Sequence, residues 1–404
     1  MMATAEWKPA KLDELGFVGR GKSRHRPRNA AFLYGGRYPF FQTGDIKAAN
    51  FHLTEYTQTY SDEGLAQSKL WKPGTLCITI AANIAESAIL GIEGCFPDSV
   101  VGFVPDPDKA DVRFVKYYMD TLKLQMQSVS RGTTQDNLSL DKLLTFDFHV
   151  PPLPVQRRIA GILSAYDELI ENSQRRIRIL ETMARALYRE WFVHFRFPDF
   201  AKASSGRPGH EKLPRVASPL GDIPQGWEVK KLGDLADISW GDTSTTKASY
   251  VEEGYAAYSA SGADGKLDHF DFDRTGIVLS AIGAQCGKTW LARGKWSCIK
   301  NTIRFWSIDE CASTEFLFIA TEGQDFWPRR GAAQPFISQG DAERINLLTP
   351  DLATMKRFTT FVAASHERIA TLQTEIQNLR RTRDLLLPRL LSGQVELQTN
   401  EVHA

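Results

Sequence analysis

Residues 16–23 have the composition of a phosphate-binding loop. Their sequence, GFVGRGKS, matches the pattern G-x-x-x-x-G-K-[ST], in which backbone amides and the lysine hold nucleotide phosphates. Such a loop follows a buried apolar strand and precedes a helix that begins at the Lys-Ser pair. Here the preceding residues are KLDEL, and Pro27 soon follows Ser23. The context therefore disfavours nucleotide binding, and a P-loop ATPase is retained only as an alternative.

The same segment is strongly basic. No Asp or Glu occurs between Glu14 and Asp45, whereas six cationic residues do: Arg20, Lys22, Arg24, Arg26, Arg28 and Arg37. Arg and Lys bind phosphates and base edges. Four of these residues, Lys22, Arg24, Arg26 and Arg28, are therefore candidate DNA contacts. A solvated basic loop is the alternative.

Short polar side chains cluster at matched places in the two halves of the chain. Those in the first half are Gln42, Thr43, Asn83, Thr133, Thr134, Gln135 and Asn137. Those in the second half are Ser259, Ser261, Gln285, Lys288, Arg329, Arg330 and Gln334. Amides, hydroxyls and cations of this kind read base edges in the major groove, although each alone is typical of a turn or cap. Their clustering predicts two DNA-reading surfaces.

The remaining residues indicate neither a catalytic nor a metal centre. The eight histidines lack metal-like spacing, and no G-x-S-x-G, nuclease or methyltransferase motif is evident. Five cysteines without C-x-x-C spacing argue against disulfides and a zinc ribbon, which favours a reducing cytoplasm. No apolar stretch approaches the roughly 20 residues of a membrane span, and no signal peptide is recognisable. We expect a non-catalytic, cytoplasmic protein with no membrane partner. An enzyme with an unrecognised motif is the alternative.

Two long amphipathic helices, one in each half, must position the candidate DNA contacts. Adding 199 to eight apolar positions of the first helix gives eight apolar positions of the second. The first set is Ile159, Ile162, Leu163, Ile170, Ile177, Leu180, Leu187 and Trp191, and the second is Phe358, Phe361, Val362, Ile369, Ile376, Leu379, Leu386 and Leu390. The alternating spacing of three and four predicts the seam of an antiparallel coiled coil.

The predicted seam consists of Ile170, Ile177, Leu180 and Leu187 from the first helix, and Ile369, Leu372, Ile376, Leu379 and Leu386 from the second. Arg383 also falls on this seam. The aromatic residues Tyr188, Trp191, Phe192 and Phe195 cluster at one end of the first helix. Apolar surface at a helix end can bind the helices of a partner, so this cluster is a candidate docking surface.

The repeat and the composition together predict the domain organisation. At 404 residues and a net charge of +1, the chain fits two domains of about 150 residues plus helices. We predict recognition domains at 1–150 and 227–349, long helices at 151–197 and 350–393, a linker at 198–226 and a tail at 394–404. Within the first domain, strands are expected at residues 76–80, 100–104 and 146–150, and a helix at 114–129.

Four segments resemble the specificity subunit of type I restriction–modification systems. They are residues 151–163 (PPLPVQRRIAGIL), 187–192 (LYREWF), 223–227 (IPQGW, leading to Leu232-Gly233) and 385–393 (LLLPRLLSG). The resemblance covers essentially the whole chain. One departure is that the first domain keeps Trp7 but lacks the Pro-x-Gly-Trp entry of the second. The resemblance implies an α+β fold with two target-recognition domains joined by an antiparallel coiled coil.

The resemblance also implies the partners and the activity. Each recognition domain would read one half of a split site in double-stranded DNA, and two methyltransferase subunits would dock on the helices. Motor-nuclease subunits would join for restriction. S-adenosylmethionine, ATP and magnesium would be bound by those partners, with no cofactor in this chain. A recognition subunit of another restriction class, a P-loop ATPase with a coiled-coil arm and a purely structural scaffold are the alternatives.

Overall fold

The computed structural model describes residues 7–49, 51–130, 138–196, 214–331 and 333–395. The chain divides into two compact units. Unit 1 comprises Met1–Arg175 and Gln373–Ala404, and unit 2 comprises Arg176–Leu372. Within the described residues, no helix is both long and apolar enough to cross a membrane.

The first segment of unit 1 runs through short strands and helices into the first long helix. Its strands are β1 (Lys8–Ala10), β2 (Gly16–Arg20), β3 (Tyr34–Phe40), β4 (His52–Leu53), β5 (Gln58–Tyr60), β6 (Leu76–Thr79), β7 (Ser87–Leu90), β8 (Val100–Pro105) and β9 (Phe148–Val150). Its helices are α1 (Leu12–Leu15), α2 (Thr43–Ala48), α3 (Asp62–Ala66), α4 (Val112–Ser130), α5 (Leu140–Leu143) and α6 (Leu153–Tyr188), which continues into unit 2.

A five-stranded sheet in the order β2-β8-β6-β7-β4 forms the centre of unit 1. Strand β6 is buried on both faces: Leu76 and Ile78 lie in one core with Phe114 of α4, whereas Cys77 lies in a second core with Trp71. Burial on both faces explains why this strand is a continuous apolar run rather than an alternating one. The predicted strands at 76–80, 100–104 and 146–150 correspond to β6, β8 and β9, and the predicted helix corresponds to α4.

Unit 2 has more strands. They are β10 (Arg215–Ser218), β11 (Gly221–Pro224), β12 (Glu228–Lys231), β13 (Ala236–Trp240), β14 (Tyr255–Ser259), β15 (Gly262–Leu267), β16 (Phe272–Asp273), β17 (Gly276–Ser280), β18 (Thr289–Ala292), β19 (Lys295–Cys298), β20 (Thr302–Ser307) and β21 (Asn346–Thr349). Its helices are α7 (Leu232–Leu235), α8 (Thr314–Ala320), α9 (Gln339–Glu343) and α10 (Leu352–Leu391), whose end belongs to unit 1.

The two units share one α+β plan. In unit 1 the first strand, β1, pairs with β9, the strand before α6; in unit 2, β12 pairs in the same way with β21, the strand before α10. The central sheet of unit 2 has the order β13-β20-β17-β18, and a second sheet has the order β15-β14-β19-β16. Strands β2 and β13 are both antiparallel edge strands. The repeat in the sequence is therefore a repeat of architecture.

The long helices begin at sites that suit helix starts. Proline is accommodated in the first turn of α6 at Pro154, because the N–H groups there have no partner within the helix. At the start of α10, Asp351 accepts hydrogen bonds from the amide of Thr354 at 2.9 Å and from its hydroxyl at 2.7 Å. Aspartate is a strong N-terminal cap. Both helices are therefore started by local sequence.

Each unit packs part of α6 against part of α10 in antiparallel fashion. In unit 1, Leu163 shares a core with Leu390, and further along α6 Asp167 forms an ion pair with the earlier residue Arg383. In unit 2, Trp191 just beyond α6 contacts Phe358, with ring centroids 6.1 Å apart.

Among the predicted seam residues, Ile170, Ile369, Leu372 and Ile376 are buried, and Ile177, Leu180, Leu187, Leu379 and Leu386 are half-buried. Phe361, from the eight apolar pairs, is 44% exposed. Its place in the buried pattern was wrongly predicted, because Phe358 and Val362 face the core and Phe361 is turned away from them.

The aromatic cluster after α6 is not spare surface. Trp191 and Phe192 are buried in the core of unit 2, where Phe192 packs against Phe316, Phe358 and Trp227. The prediction that this cluster forms a docking surface was therefore wrong. Part of the predicted linker is also ordered: its residues 198–213 lie outside the described part of the chain, whereas strands β10 and β11 form a hairpin from Arg215 to Pro224.

Candidate nucleic-acid interface

The segment that matches a P-loop is an edge strand followed by a tight turn. Gly19 lies in β2 opposite Gly102 of β8. The amide of Gly21 donates to the carbonyl oxygen of Val100 at 2.8 Å, and the amide of Lys22 donates to that of Phe96 at 3.1 Å. A phosphate cradle needs these N–H groups free. The backbone of residues 19–22 is therefore occupied by the protein itself.

The equivalent turn of unit 2 has the same backbone contacts and different side chains. The amides of Gly241 and Asp242 donate to the carbonyl oxygens of Thr302 and Cys298, both at 2.9 Å. A Cβ atom at Gly21 would lie 2.3 Å from the oxygen of Phe96, and one at Gly241 would be equally close to the Thr302 hydroxyl. Both glycines are required by close packing. This requirement explains the glycine before Lys22 without a nucleotide.

Two of the four predicted basic contacts have partners in the protein. The Arg26 guanidinium donates to the carbonyl oxygens of Ser23 at 2.7 Å and His25 at 2.9 Å, and Arg28 pairs with Asp98 at 2.9 Å. Lys22 and Arg24 are exposed. Within the described chain, neither has a carboxylate oxygen within 4.0 Å. Of the four predicted contacts, Lys22 and Arg24 are thus the two that remain available to a phosphate.

A further cation near these residues, Lys69, was missed by the sequence analysis. Its Nζ lies 3.5 Å from the ring centroid of Trp71 and 4.7 Å from that of Phe17. Phe17 is 56% exposed on β2. Burial, and to a lesser degree the charge of Lys22, lowers the pKa of Lys69. The search for a continuous basic run could not find Lys69, because it follows Lys22 by 47 residues and only the fold brings them together.

The predicted polar residues of unit 1 lie around the start of α2 and the loop after β6. Gln42 is the N-cap residue of α2, and its side-chain amide donates to the side-chain oxygen (Oε1) of Gln58 at 2.7 Å; Thr43 is half-buried in the first turn. Lys47 of the same helix donates to the Asn83 side chain at 3.3 Å. The fold therefore brings these predicted contacts to one region. Four further candidates, Thr133, Thr134, Gln135 and Asn137, lie outside the described residues.

In unit 2, two loops that carry predicted contacts lie side by side, and we call them the loop pair: residues 281–288 and 329–337. The amide of Gly283 donates to the Pro335 oxygen at 2.9 Å, and that of Ile337 donates to the Ala281 oxygen at 2.8 Å. The loop pair carries Gln285, Lys288, Arg329, Arg330 and Gln334. Lys288 and Gln334 are exposed, and Gln285 is half-buried.

Unit 1 has an equivalent backbone hydrogen bond at the corresponding place. The amide of Leu138 donates to the Ile80 oxygen at 2.9 Å, as Ile337 does to Ala281 in unit 2. Next along the chain, Ser139 and Ser338 each cap a short helix. The segments before these caps share the residues R-G-x-x-Q, at 131–135 and 330–334. The loop pair is therefore built on a framework that both units possess.

Three predicted contacts of unit 2 are engaged within the protein. Arg330 pairs with Asp341, and Arg329 pairs with Asp325 at 2.8 Å. Ser259 is buried, and its hydroxyl donates to Asp264 at 2.8 Å. This hydroxyl stabilises the turn between β14 and β15, as short polar residues commonly do.

Ser261 of the same turn is exposed. Its amide donates to the Ser259 hydroxyl oxygen at 3.0 Å, which fixes the backbone of the turn. The turn also packs close to Trp290, since a Cβ atom at Gly262 would lie 2.9 Å from the indole nitrogen. Trp290 belongs to β18, the strand that follows residues 281–288. Ser261 is therefore near the loop pair, whereas the Ser259 hydroxyl is committed to the turn.

The titratable groups of the described residues form no metal centre. Among these residues, no group of three or more His, Cys, Asp or Glu side chains has the geometry to hold a metal ion. Cys77, Cys95, Cys286 and Cys298 are buried free thiols, and burial raises the pKa of Cys95 to about 11. These thiols belong to the cores. The arrangement offers cations, amides and exposed aromatic rings, among them Phe17 and Phe336.

Comparison with known proteins identifies similar chains. The family model described as the type I restriction modification DNA specificity domain matches twice, over residues 4–182 and 224–381. The type I restriction enzyme MjaIX specificity subunit of Methanocaldococcus jannaschii is 21% identical over 426 residues, covering 97% of this chain and 94% of that protein. The HindI specificity subunit of Haemophilus influenzae is 22% identical over 475 residues, covering 97% and 100%.

Among solved structures, a type I restriction–modification S subunit from M. genitalium superposes with a TM-score of 0.62. The superposition covers 98% of each chain at 17% sequence identity. This likeness is one of fold.

Proposed function

This chain belongs to the type I restriction–modification DNA specificity family, and from that premise we propose that each of its two units reads one half of a split DNA target. Membership in the family makes the chain a DNA-recognition subunit of such a system. The finer assignment concerns which parts of the chain read which bases. We assign one half-site to unit 1 and the other to unit 2.

One observation carries this assignment: a shared framework holds different side chains at equivalent positions. The turn after the edge strand carries Lys22 in unit 1 and Asp242 in unit 2 on the same backbone hydrogen bonds. The loop after the central strand carries Asn83 in unit 1 and Gln285 and Lys288 in unit 2. Base edges differ in their donors and acceptors, so readers with different side chains select different bases. The two half-sites are therefore expected to differ, and the target to be asymmetric.

The lengths of the long helices support a gap between the half-sites. Helix α6 has 36 residues and α10 has 40. At about 1.5 Å per residue these helices are roughly 54 and 60 Å long. One turn of B-DNA is about 34 Å. Because each helix is longer than one turn of DNA, we expect unread base pairs between the two half-sites.

We assign the chemistry of the system to partner subunits. The chain would act without catalytic residues of its own, and two methyltransferase subunits would dock on the helical regions. Motor-nuclease subunits would complete the restriction complex. S-adenosylmethionine, ATP and magnesium would be bound by these partners, in the cytoplasm. The occupied amides of Gly21 and Lys22 support this division, since they leave the P-loop-like segment without a phosphate cradle.

The decisive experiment is a map of DNA methylation. The chain and its neighbouring methyltransferase would be co-expressed in a host without DNA methylation, and modified bases would be mapped across the genome. A split, asymmetric methylated motif that requires both proteins is the expected result. A continuous or symmetric motif would contradict the two-reader assignment. A stable complex without new methylation would contradict the proposed function as a whole.

A further inference from the structure

Three side chains of unit 1, from three different helices, meet at one buried point, which we call the polar junction: Tyr117 of α4, Asp167 of α6 and Arg383 of α10. The Tyr117 hydroxyl donates to the Asp167 carboxylate at 2.5 Å. The Arg383 guanidinium forms an ion pair with the other oxygen of Asp167. The junction therefore ties both long helices to each other and to a helix of the globular part.

Two of the three groups of the polar junction are removed from water, and the third, Arg383, is half-buried. Asp167 is 1% exposed and Tyr117 is 2% exposed. Burial and the nearby Asp167 charge raise the pKa of Tyr117, so the hydroxyl keeps its proton and remains a donor. Asp384 accepts from Arg383 at 2.8 and 3.0 Å and holds the guanidinium in place. Each polar atom of the ion pair thus has a fixed partner.

Unit 2 has neither the carboxylate nor the guanidinium of this ion pair at the equivalent positions. The offset of 199 maps Asp167 onto His366 and Arg383 onto Ala184. Superposing the first turns of α4 and α8, which places Phe114 on Phe316, maps Tyr117 onto Ile319. His366 is buried, and its Nδ1 has no hydrogen-bond partner among the described residues. Beside His366, Arg185 of α6 pairs with Glu322, just after α8, at 2.7 Å. This ion pair does not include α10, whereas the pair in unit 1 joins α6 to α10 directly.

A buried ion pair permits one register of the helices. If α10 slid by one turn along α6, Leu379 or Leu387 would replace Arg383 beside Asp167. Asp167 would then be a buried carboxylate without a cation, which is strongly unfavourable. Leucine–leucine contacts, in contrast, can form again after a slide of one turn. A polar group on a coiled-coil seam is an established way to fix register.

We propose that the polar junction sets the register of α10 on α6 and so fixes the length of the unread gap in the DNA target. The proposal rests on the proposed function, because it concerns the distance between two half-sites. A slide of one helical turn moves a residue by about 5.4 Å, and the rise per base pair is about 3.4 Å. Loss of the junction should therefore allow gaps that differ by one or two base pairs, while both half-site sequences stay the same.

The test compares gap lengths in methylomes. In the variant Asp167→Leu/Arg383→Leu, we expect the methylation at shifted gaps, relative to the wild-type gap, to rise at least tenfold. Arg383→Lys keeps a cation and should keep one gap. His366→Leu is the matched control at the equivalent place of unit 2 and should also keep one gap. A merely structural role would lower methylation at every site without changing this ratio.

Each outcome decides the proposal. A single gap in a methylating Asp167→Leu/Arg383→Leu complex would overturn it. If that variant does not methylate, Tyr117→Phe, which removes one hydrogen bond, takes its place: shifted gaps support the proposal, and a single gap overturns it. A wild-type complex without a split motif would instead reject the proposed function, so the two failures are distinguishable.

Discussion

Lys22 and Asp242 occupy the same place in the two units and carry opposite charges. Each follows a glycine that ends an edge strand, and the amide of each donates to a carbonyl oxygen of the neighbouring segment. The side chain of Asp242 accepts hydrogen bonds from Ser244 and Thr245, and these contacts lower its pKa to about 2. Both residues are exposed, and Asp242 is thus an anion that orders its own turn, whereas Lys22 is a cation without a carboxylate partner among the described residues. The same backbone conformation therefore presents a cation in unit 1 and an anion in unit 2.

Substitution of Gly21 and Lys22 separates packing from charge. Gly21→Ala places a Cβ atom 2.3 Å from two backbone oxygens, so we expect a loss of about 1–3 kcal/mol in unfolding free energy. Lys22→Ala should leave the unfolding free energy nearly unchanged. Denaturant unfolding measures this free energy for both variants. Gly161→Ala is the matched control: it meets no atom within 4 Å in α6 and should stabilise the chain slightly. A rise in melting temperature with ATP that Lys22→Ala abolishes would revive the ATPase alternative.

Lys69→Ala should weaken DNA binding without changing its sequence preference. A lysine that neutralises one phosphate contributes about one unit to the slope of log K against log salt. We expect a several-fold loss of affinity at low salt and a slope reduced by about one, measured by titration of labelled DNA with the methyltransferase complex. Lys109→Ala is the control, since Asp106 already pairs with that lysine at 3.6 Å. A changed preference among sequences would argue that Lys69 contacts bases instead.

Gln334→Ala should relax one position of one half-site. Gln334 is exposed on the loop pair, and a side-chain amide that reads a base contributes about 1–3 kcal/mol of discrimination. Methylome mapping would show one base of the motif becoming degenerate while the other half-site stays intact. Ser259→Ala is the comparison, because its hydroxyl bonds to Asp264 and should alter stability rather than sequence. Degeneracy in both half-sites would contradict the assignment of one half-site to each unit.

Lengthening either long helix by one turn should change the gap and not the half-sites. Four extra residues add about 6 Å, which corresponds to roughly two base pairs at 3.4 Å each. Methylome mapping of an insertion variant of α6 would give the new gap directly. Alanine replacement of the exposed residues Arg175 and Arg176 of α6, without insertion, is the control and should leave the motif unchanged. An altered half-site sequence would rule out this role for the helices.

His366 should make unit 2 sensitive to acid. Burial, and then the charge of Arg293, lowers the pKa of His366 to about 4, below the ordinary value of 6.5. The folded state therefore favours the neutral ring, and its stability is complete above pH 6.5 and is lost as the pH falls toward 4. The loss from this group between pH 7.5 and 4.5 is roughly 2–3 kcal/mol. Unfolding of His366→Leu across this range should show a correspondingly smaller loss; an identical pH dependence would contradict the assignment.

Local sequence patterns predict the helices and strands, whereas long-range contacts determine which side chains come together at the candidate sites. Strand β6 and helix α4 follow from runs and periods within a few residues. The cluster of Phe17, Lys69 and Trp71 could not be predicted, because the fold brings together residues far apart in sequence. The same holds for Ser259: its residue type fits base reading, but its partner is decided by the turn that places Asp264 beside it.

The helix seam illustrates both what a local sequence pattern predicts and what depends on long-range contacts. The repeat at an offset of 199 residues located the buried stripe, yet it gave Phe361 the same weight as Phe358. Burial of one and exposure of the other depend on which face meets the core. The prediction of a docking surface at Trp191 and Phe192 failed for a similar reason, because their shared partner Phe358 lies on α10, far along the chain. Periodicity locates an apolar stripe on a helix, and the packing of neighbouring elements determines which residues of the stripe are buried.

Unit 1 contains the end of α10, and this arrangement orders events during synthesis on the ribosome. Leu390 and Leu391 complete the same core as Leu12 and Phe114, although the 197 residues 176–372 lie between the two parts of the unit. At 5–20 residues per second, roughly 10–40 s pass before the missing helix emerges. Unit 2 has all of its residues earlier. In a nascent chain that stops short of α10, the core of unit 1 is incomplete. Unit 1 can therefore finish folding only after the last helix has been translated.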